Sequence, residues 1–283
     1  MPVSDAATPE DFLRHLVVES TGEDRFSARC APAWPGRAFG GQLAAHSLQA
    51  AATTVPDTMR PWSLHIVFHA PVRSLEPVGY EVSRVKDGRS VSTRQVRVVQ
   101  DDKLRATALM VFGAPGDGPQ HQFHRPPTTA PEDLQPEEWV LDPTIVPADA
   151  DFAALGYPAH PLFEVRVVPE TASGARHAWI RVRPTIPHDE LTSASTLCAM
   201  ADLNLGTTAL APHGGRAQAT DLQLGAIELA LWFTSRADVN NWTLFAQDTP
   251  FGGDGHALAY GIFYNSDGNV SAVTLQNSLM RRS

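Results

Sequence analysis

Residues 39–54, FGGQLAAHSLQAAATT, are followed by four strand-like segments, and the same succession occurs again after residues 189–204, DELTSASTLCAMADLN. The first stretch is rich in alanine, has no proline before Pro56 and places Leu43, Ala44 and Leu48 at helical spacing. It predicts a helix that ends at Pro56. The second stretch predicts another helix, with Asp189 in the N-cap position.

Segments rich in β-branched and alternating residues predict the strands of each half. Tight hairpin turns are expected at Asp87-Gly88, Asp101-Asp102 and Asp267-Gly268. In the first half the strands cover about 63–70, 78–86, 90–100 and 104–112. In the second half, two strands near 162–168 and 176–183 precede the helix, and strands at about 222–234, 241–248, 256–264 and 270–280 follow it.

The order of these elements predicts an α+β fold with two antiparallel sheets, each wrapped around one long helix, because each sheet has only one helix to bury its apolar face. The two sheets can pair into one continuous sheet. Between residues 114 and 161, ten prolines break any regular element. We therefore expect an N-terminal domain over 1–113, a surface linker over 114–160 and a C-terminal domain over 161–283.

Composition restricts the functions that the protein can have. Hydrophobic residues make up 43% and charged residues 19% of the chain, as is typical of a globular enzyme. A net charge of −9 without a run of Lys or Arg argues against a nucleic-acid partner. The absence of a leader-like or long apolar stretch predicts a soluble, cytoplasmic protein without a membrane span. Cys30 and Cys198 lack the spacing of a zinc site or a disulfide framework.

Asp202 lies in the apolar stretch TLCAMADLNLG, on the helix face that also holds Ser195, Cys198 and Ala199. A carboxylate on such an inward face loses hydration, which raises its pKa and its strength as a base. Asp202 is therefore a candidate general base for activating water. The alternative is a structural role in which Asp202 bonds the backbone of a nearby loop.

Gln276 lies in the last strand, VTLQNSLM, where alternation places Thr274, Gln276 and Ser278 on one face. A side-chain amide can orient a water molecule and donate to a developing oxyanion. The alternative is a glutamine that faces solvent, which is the commoner environment for this residue type.

Six short stretches follow one another along the chain: FGGQ at 39–42, KDGRSVS at 86–92, ADLN at 201–204, LAPHG at 210–214, LWF at 231–233 and VTLQNSLMR at 273–281. Together, and in this order, they resemble the acyl-CoA thioesterase II (TesB-like) family. In that family a double hotdog hydrolyses acyl-CoA thioesters without a covalent intermediate, using an aspartate, a threonine or serine and a glutamine around one water. The resemblance implies that Asp202 is the aspartate and Gln276 the glutamine.

The third catalytic position departs from the family pattern. The family has a hydroxyl residue, an aliphatic residue, Asp, His, two further residues and Trp-Phe, whereas this chain has AIELALWF at 226–233. Ala226 thus replaces the hydroxyl residue, and the loss of one hydrogen bond to the water costs about 2 to 4 kcal/mol of barrier, by analogy with an oxyanion-hole donor. Strict alternation places Glu228 on the face of Ala226, so Glu228 is a candidate second carboxylate in the vacated space.

The first helix carries Ala45, His46 and Ser47 at the position that matches the aspartate, so its implied role is to complete the fold and border the acyl tunnel. Gly40 and Gly41 at its start allow close backbone approach, and their N–H groups are candidates for polarising a thioester carbonyl. The alternative is simple helix packing, with Gln42 at the surface.

The leading hypothesis is cleavage of an acyl-CoA, or a related acyl thioester, to a carboxylic acid and a thiol. No metal or redox cofactor is implied, and the resemblance implies a homodimer. An acyl-CoA or acyl-carrier binding protein without activity is the rival from another class, and Ala226 favours it. A hotdog hydratase is the nearest rival enzyme, because Asp202-Leu203-Asn204 matches its Asp-x-Asn opening, but the histidine expected a few residues later is absent.

Overall fold

The structure is a computed structural model in which the two halves of the chain build one twelve-stranded antiparallel sheet. It describes residues 13–14, 16–30, 32–34, 37–134, 163–169, 175–203, 205–213, 222–234 and 237–282. Within these residues, no helix combines the length and the apolar character that crossing a membrane requires.

The elements follow the order expected from the sequence, with one long helix in each half. Strands β1 to β8 cover Glu19–Gly22, Arg25–Arg29, Pro32–Trp34, Arg37–Ala38, Arg60–Phe68, Pro77–Lys86, Val91–Gln100 and Lys103–Gly113. Strands β9 to β14 cover Phe163–Val167, Arg176–Val182, Leu222–Phe233, Thr243–Gly253, His256–Tyr264 and Val270–Arg282. Helices α1 to α3 cover Gly40–Ala52, Glu190–Ala201 and Leu205–Thr208, and 3-10 turns cover Pro131–Asp133 and Ala211–His213.

The strand order of the sheet is β1-β2-β6-β7-β8-β5-β11-β14-β13-β12-β10-β9. The run β2-β6-β7-β8-β5 in the first half has the same connectivity as β10-β12-β13-β14-β11 in the second. The halves join where β5 pairs with β11, and His65 lies opposite Ala230 at the middle of that pairing. The double hotdog fold and its continuous sheet, predicted from the sequence, are confirmed.

The first half contains more strands than the sequence predicts. Strands β1 and β2 precede α1 and extend the sheet beyond β6, and β3 and β4 form a separate two-stranded ribbon. All four residues of β1 are exposed, and β2 has charged residues at both ends. A short, polar edge strand carries little of the alternation on which strand prediction depends.

Helices α1 and α2 form the centre of the core. Residues 193–201 of α2 are all buried, as are ten residues of α1. Small side chains allow this, because a Cβ atom on Gly41 would lie 2.9 Å from the carbonyl oxygens of Cys198 and Ala199. The start of α1 therefore packs directly on the backbone at the end of α2. The predicted N-cap is confirmed, since Asp189 accepts a hydrogen bond from the N–H of Thr192 at 2.8 Å.

The predicted linker begins at residue 114, and its residues 135–160 lie outside the described part of the chain. The described portion runs along the second half without strands. Trp179 donates its Nε1–H to the carbonyl oxygen of Thr129 at 2.9 Å, and Gln122 accepts a hydrogen bond from the N–H of Val270 at 3.0 Å. This segment therefore covers the outer side of the C-terminal half of the sheet.

Candidate active site

The carboxylate of Asp202 lies where the first turn of α1 meets the end of α2. Asp202 is the C-cap residue of α2 and is partly buried. Its Oδ2 atom accepts a hydrogen bond from the N–H of Gly41 at 2.9 Å, and its Oδ1 atom accepts one from Nε2 of Gln276 at 2.8 Å. The two leading candidates from the sequence are thus in direct contact, although they are far apart along the chain.

Burial raises the pKa of Asp202 from its ordinary value of 3.8 to about 7, because the ionised carboxylate loses hydration. The N–H of Gly41, the amide of Gln276 and the N–H of Gly40 lower the pKa, since each hydrogen bond favours the ionised form. Burial is the larger effect. Asp202 is therefore a stronger base than an exposed aspartate and still ionises near neutral pH, which are the properties that a general base requires.

The first turn of α1 depends on this carboxylate. Phe39 occupies the N-cap position and offers no side-chain acceptor, so the first N–H groups of the helix need another partner. Asp202 accepts from them instead. Glycine is required at both positions, because a Cβ atom on Gly40 would lie 2.8 Å from Asp202 Oδ2, and one on Gly41 would lie 2.9 Å from the carbonyl oxygen of Ala199. The close approach of α1 to α2 therefore explains both glycines.

The sequence leaves two roles open for Gly40 and Gly41. The structure shows their part in helix packing and in bonding the carboxylate. The alternative that places Gln42 at the surface is wrong in that respect, because Gln42 is fully buried. Polarisation of a thioester carbonyl by the two N–H groups stays a prediction.

Gln276 points into the protein from the inner face of β14. Only 3% of it is exposed, so the solvent-facing alternative is wrong. Thr274 and Ser278 on the same face are also buried, as alternation predicts. The amide uses Nε2 to donate to Asp202, whereas its Oε1 atom is buried without a hydrogen-bond partner among the described residues. A buried acceptor in this state offers a place for a water molecule or a ligand hydroxyl.

A β-bulge in β11 separates Ala226 from Glu228. On β14, Ser278 pairs with Ala226, but the adjacent Asn277 pairs with Glu228, so Ile227 has no partner of its own. One extra residue shifts the alternation of faces by one position. Ala226 therefore shares the inner face with Ser278, whereas Glu228 shares the outer face with Asn277. The prediction that Glu228 lies on the face of Ala226 is wrong for this reason.

Glu228 belongs to a hydrogen-bonded group on the outer face. Asn277 donates to its Oε1 atom at 3.1 Å, and Nε2 of His65 lies 2.8 Å from its Oε2 atom. The hydrogen bonds from Asn277 and His65 hold the pKa of Glu228 below its ordinary value, against the smaller effect of burial. The strand thus separates this carboxylate from Asp202 and Gln276, and the structure does not bring Glu228 into the candidate site.

A small cavity of about 60 Å³ lies at the opposite end of the helix pair, beside the start of α2. Trp62 and Phe233 are among its lining residues. Glu190 is the only carboxylate among the lining residues, and its Oε2 atom lies 3.4 Å from Nε of Arg60 in an ion pair. The two ends of the helix pair therefore differ chemically: one holds the ion pair of Arg60 and Glu190, and the other holds Asp202 with the amide of Gln276.

The double hotdog fold and the protein families that match the chain together define an enzyme of the thioesterase class. Two family models match the chain: the acyl-CoA thioesterase N-terminal domain over residues 30–113 and the acyl-CoA thioesterase domain over residues 160–279. The chain belongs to the acyl-CoA thioesterase II (TesB-like) family. The prediction of a thioester hydrolase is thereby confirmed.

Individual relatives agree with this assignment. Acyl-CoA thioesterase 2 of Haemophilus influenzae is 29% identical over 254 residues, which cover 86% of this chain and 87% of the relative. Human acyl-coenzyme A thioesterase 8 is 26% identical, with 98% of this chain and 92% of the relative covered. The crystal structure of acyl-CoA thioesterase II TesB2 from Mycobacterium marinum superimposes with a TM-score of 0.82 at 26% identity, covering 96% of this chain and 98% of that one.

The sequence does not reveal the hydrogen bond from Gly41 to Asp202 or the close approach of Phe68 to Gly40. A Cβ atom on Gly40 would lie 2.9 Å from the ring of Phe68, so this side chain closes the site from strand β5. One signal was present in the sequence. Phe39 is unsuited to capping a helix, and the uncapped first turn of α1 therefore required an acceptor from elsewhere in the fold.

Proposed function

We propose that the protein hydrolyses acyl-CoA thioesters to a carboxylic acid and CoA, with Asp202 as the general base and Gln276 as the residue that orients the water. One observation carries the proposal: a carboxylate whose pKa is raised to about 7 is bonded to an amide whose other end is a buried, unoccupied acceptor among the described residues. Such an arrangement can hold and deprotonate a water molecule, so it favours direct hydrolysis over a mechanism in which a side chain attacks the thioester.

The attacking water has two protons, and the site offers an acceptor for each. One O–H group donates a hydrogen bond to the carboxylate of Asp202, and the other donates a hydrogen bond to Oε1 of Gln276. The lone pairs of the water then face away from both acceptors, toward the place of the thioester carbonyl. Fixing the nucleophile in this way lowers the entropic part of the barrier.

The reaction proceeds in two steps without an acyl-enzyme. Asp202 takes a proton as the water oxygen bonds to the carbonyl carbon, and a tetrahedral oxyanion forms. The oxyanion then collapses, the C–S bond breaks, and the proton held by Asp202 goes to the departing thiolate. Each turnover thus consumes one thioester and one water, releases one acid and one thiol, and returns Asp202 to its ionised form.

A second function is favoured by one residue. Ala226 occupies the position where the family pattern has a hydroxyl, so an acyl-CoA or acyl-carrier binding protein with little or no activity is the alternative. The two functions share a binding site and differ in turnover. They are separated by measuring binding and hydrolysis on the same preparations.

The test is thiol release from a panel of short, medium and long acyl-CoAs, with wild-type protein and Asp202→Asn. We expect wild-type turnover on at least one chain length and a loss of about a thousandfold or more in the variant, in the range of losses seen for essential catalytic groups. Calorimetric binding of acyl-CoA to both proteins serves as the control, since the variant should still bind. Binding without wild-type turnover would favour the binding protein, and equal turnover of the two proteins would contradict the role of Asp202.

Three further predictions from the sequence accompany this proposal: a cytoplasmic location, the division into two domains with a linker over 114–160, and a homodimer. Exposed apolar side chains on the outer face of the central strands support the homodimer, since Leu109 and Trp232 are each 49% exposed. Light scattering at micromolar concentration would decide, and the mass of a monomer would contradict the prediction.

A further inference from the structure

We propose that the hydroxyl of Ser278 replaces the hydroxyl that Ala226 lacks, and that it binds the attacking water together with Asp202 and Gln276. This inference rests on the proposed function. Ser278 lies on β14, the strand that pairs with β11, so the sequence pattern of β11 alone does not reveal it.

The sheet register places Ser278 directly opposite Ala226. The two residues are paired between β14 and β11, and the bulge at Ile227 follows immediately. Cβ atoms of opposed residues in an antiparallel pair lie about 4.5 to 5.5 Å apart and point to the same face. A hydroxyl lost from position 226 can therefore be supplied from position 278 without leaving the inner face of the sheet.

Ser278 also lies beside the amide of the site. It is two residues from Gln276 on the same face, about 6.8 Å along the strand at about 3.4 Å per residue. Both residues are almost fully buried, with 2% and 3% exposed. The unpartnered Oε1 atom of Gln276 belongs to the same inner surface, so a water bound to it lies on the side of the sheet to which the serine points.

Ser278 has small residues at the paired positions of both neighbouring strands and above its hydroxyl. Its cross-strand neighbours are Ala226 on β11 and Ala257 on β13. Gly206 of α3 lies over it, such that a Cβ atom on that glycine would be 3.6 Å from Oγ of Ser278. Each of these three positions therefore carries a residue with no side chain beyond a methyl group.

Other buried hydroxyls near the site are less suitable. Thr274, on the other side of Gln276, donates its hydroxyl to the carbonyl oxygen of Ala230 at 3.0 Å. Ser195 has a buried, unpartnered Oγ among the described residues, but it lies seven residues before Asp202, about 10 Å along the helix at 1.5 Å per residue. Ser278 is the hydroxyl that register and face place next to both Ala226 and Gln276.

The added hydrogen bond completes the orientation of the water. Asp202 and Gln276 accept hydrogen bonds from its two O–H groups, and the O–H of Ser278 donates a hydrogen bond to one of its two lone pairs. The remaining lone pair is directed at the thioester carbonyl carbon. No covalent bond to serine forms, and the proton of the water still goes to Asp202.

The test moves the hydroxyl from one strand to the other. Ser278→Ala should lower kcat about a hundredfold or more, as expected for one hydrogen bond to the reacting atoms, with KM changed less than threefold. The double variant Ser278→Ala, Ala226→Thr should have a kcat at least tenfold higher than that of Ser278→Ala alone, because it restores a hydroxyl on the opposite strand. Thr274→Val is the matched control, since it removes a buried hydroxyl from the same face of β14 and should leave kcat within about threefold.

The outcomes are distinguishable from failure of the proposed function. Absence of wild-type turnover on every acyl-CoA overturns both proposals. Active wild type with Ser278→Ala within threefold of it overturns only the role of Ser278. A loss in Ser278→Ala that the double variant does not recover also overturns it, because the serine would then act on the fold, and thermal unfolding of the two variants would show the lowered stability.

Discussion

Replacing Asp202 by asparagine tests the physical basis of the candidate site independently of any substrate. The carboxylate is held in a place where ionisation is unfavourable, since burial raises its pKa from 3.8 to about 7. An asparagine of the same shape removes the charge. Its Oδ1 atom can accept a hydrogen bond from the N–H of Gly41. Its Nδ2 group can donate a hydrogen bond to Oε1 of Gln276 once the Gln276 amide has rotated to exchange its oxygen and nitrogen. We therefore expect Asp202→Asn to abolish turnover and yet to stabilise the protein at alkaline pH.

The magnitude follows from the raised pKa. The folded protein holds the proton of Asp202 more tightly than the unfolded chain, so this group favours the fold fully below about pH 4, and the stability is lost as pH rises through about 7. The difference of roughly three pH units, at 1.36 kcal/mol each, corresponds to about 4 kcal/mol. Roughly 2 to 3 kcal/mol of this falls between pH 5 and pH 8.

The assay is urea unfolding of both proteins at pH 5, 6, 7 and 8, with the free energy of unfolding obtained by linear extrapolation. The difference between variant and wild type should grow with pH, because all other titrating groups are common to both. Glu164→Gln provides a control whose difference from wild type should stay nearly constant from pH 5 to pH 8, because a carboxyl group with a lowered pKa is ionised in both the folded and the unfolded chain over this range. Burial raises the pKa of Glu164, but hydrogen bonds from Arg166 and Arg181 outweigh it and hold the pKa below its ordinary value. A difference for Asp202→Asn that is constant from pH 5 to pH 8 would refute the reasoning.

Three other predictions follow from the same geometry. The kcat/KM for thiol release should fall about tenfold per pH unit below about 7, where Asp202 is protonated, and a profile that stays flat down to pH 5 would contradict this. Gly41→Ala should lower the free energy of unfolding by about 1 to 3 kcal/mol through overpacking against α2, whereas Gly225→Ala, with open space around its Cβ position, should change it little in the same urea experiment. Glu228→Gln should leave turnover within about threefold, because Glu228 lies on the outer face, and a loss above tenfold would return it to the mechanism.

The regular elements of the fold could be predicted because their patterns are local. The strands from 60 to 113 and from 222 to 282 alternate strongly, and the helices at 40–52 and 190–201 are rich in small residues that only a central, buried helix requires. Strand β1 could not be predicted in this way, since all of its residues are exposed and its position depends on pairing with β2.

The candidate site was predictable in its residues but not in its connections. The faces of Asp202 and Gln276 left a structural and a solvent-facing alternative open, and the family resemblance singled out both residues. Their contact joins residues 74 positions apart. The position of Glu228 depended on strict alternation, which the bulge at Ile227 breaks. Gly225, just before Ala226, was the one local signal, since glycine within a strand often marks a bulge.

The hydrogen bond from Gly41 to Asp202 spans 161 positions of the chain. Its consequence is evolutionary. The first half of the protein is constrained by the second, because a substitution that moves the start of α1 alters the pKa of Asp202 in the other half. Natural variation around residues 39–41 should therefore first change the pH dependence of activity. The sequences of the two halves are for this reason expected to evolve together.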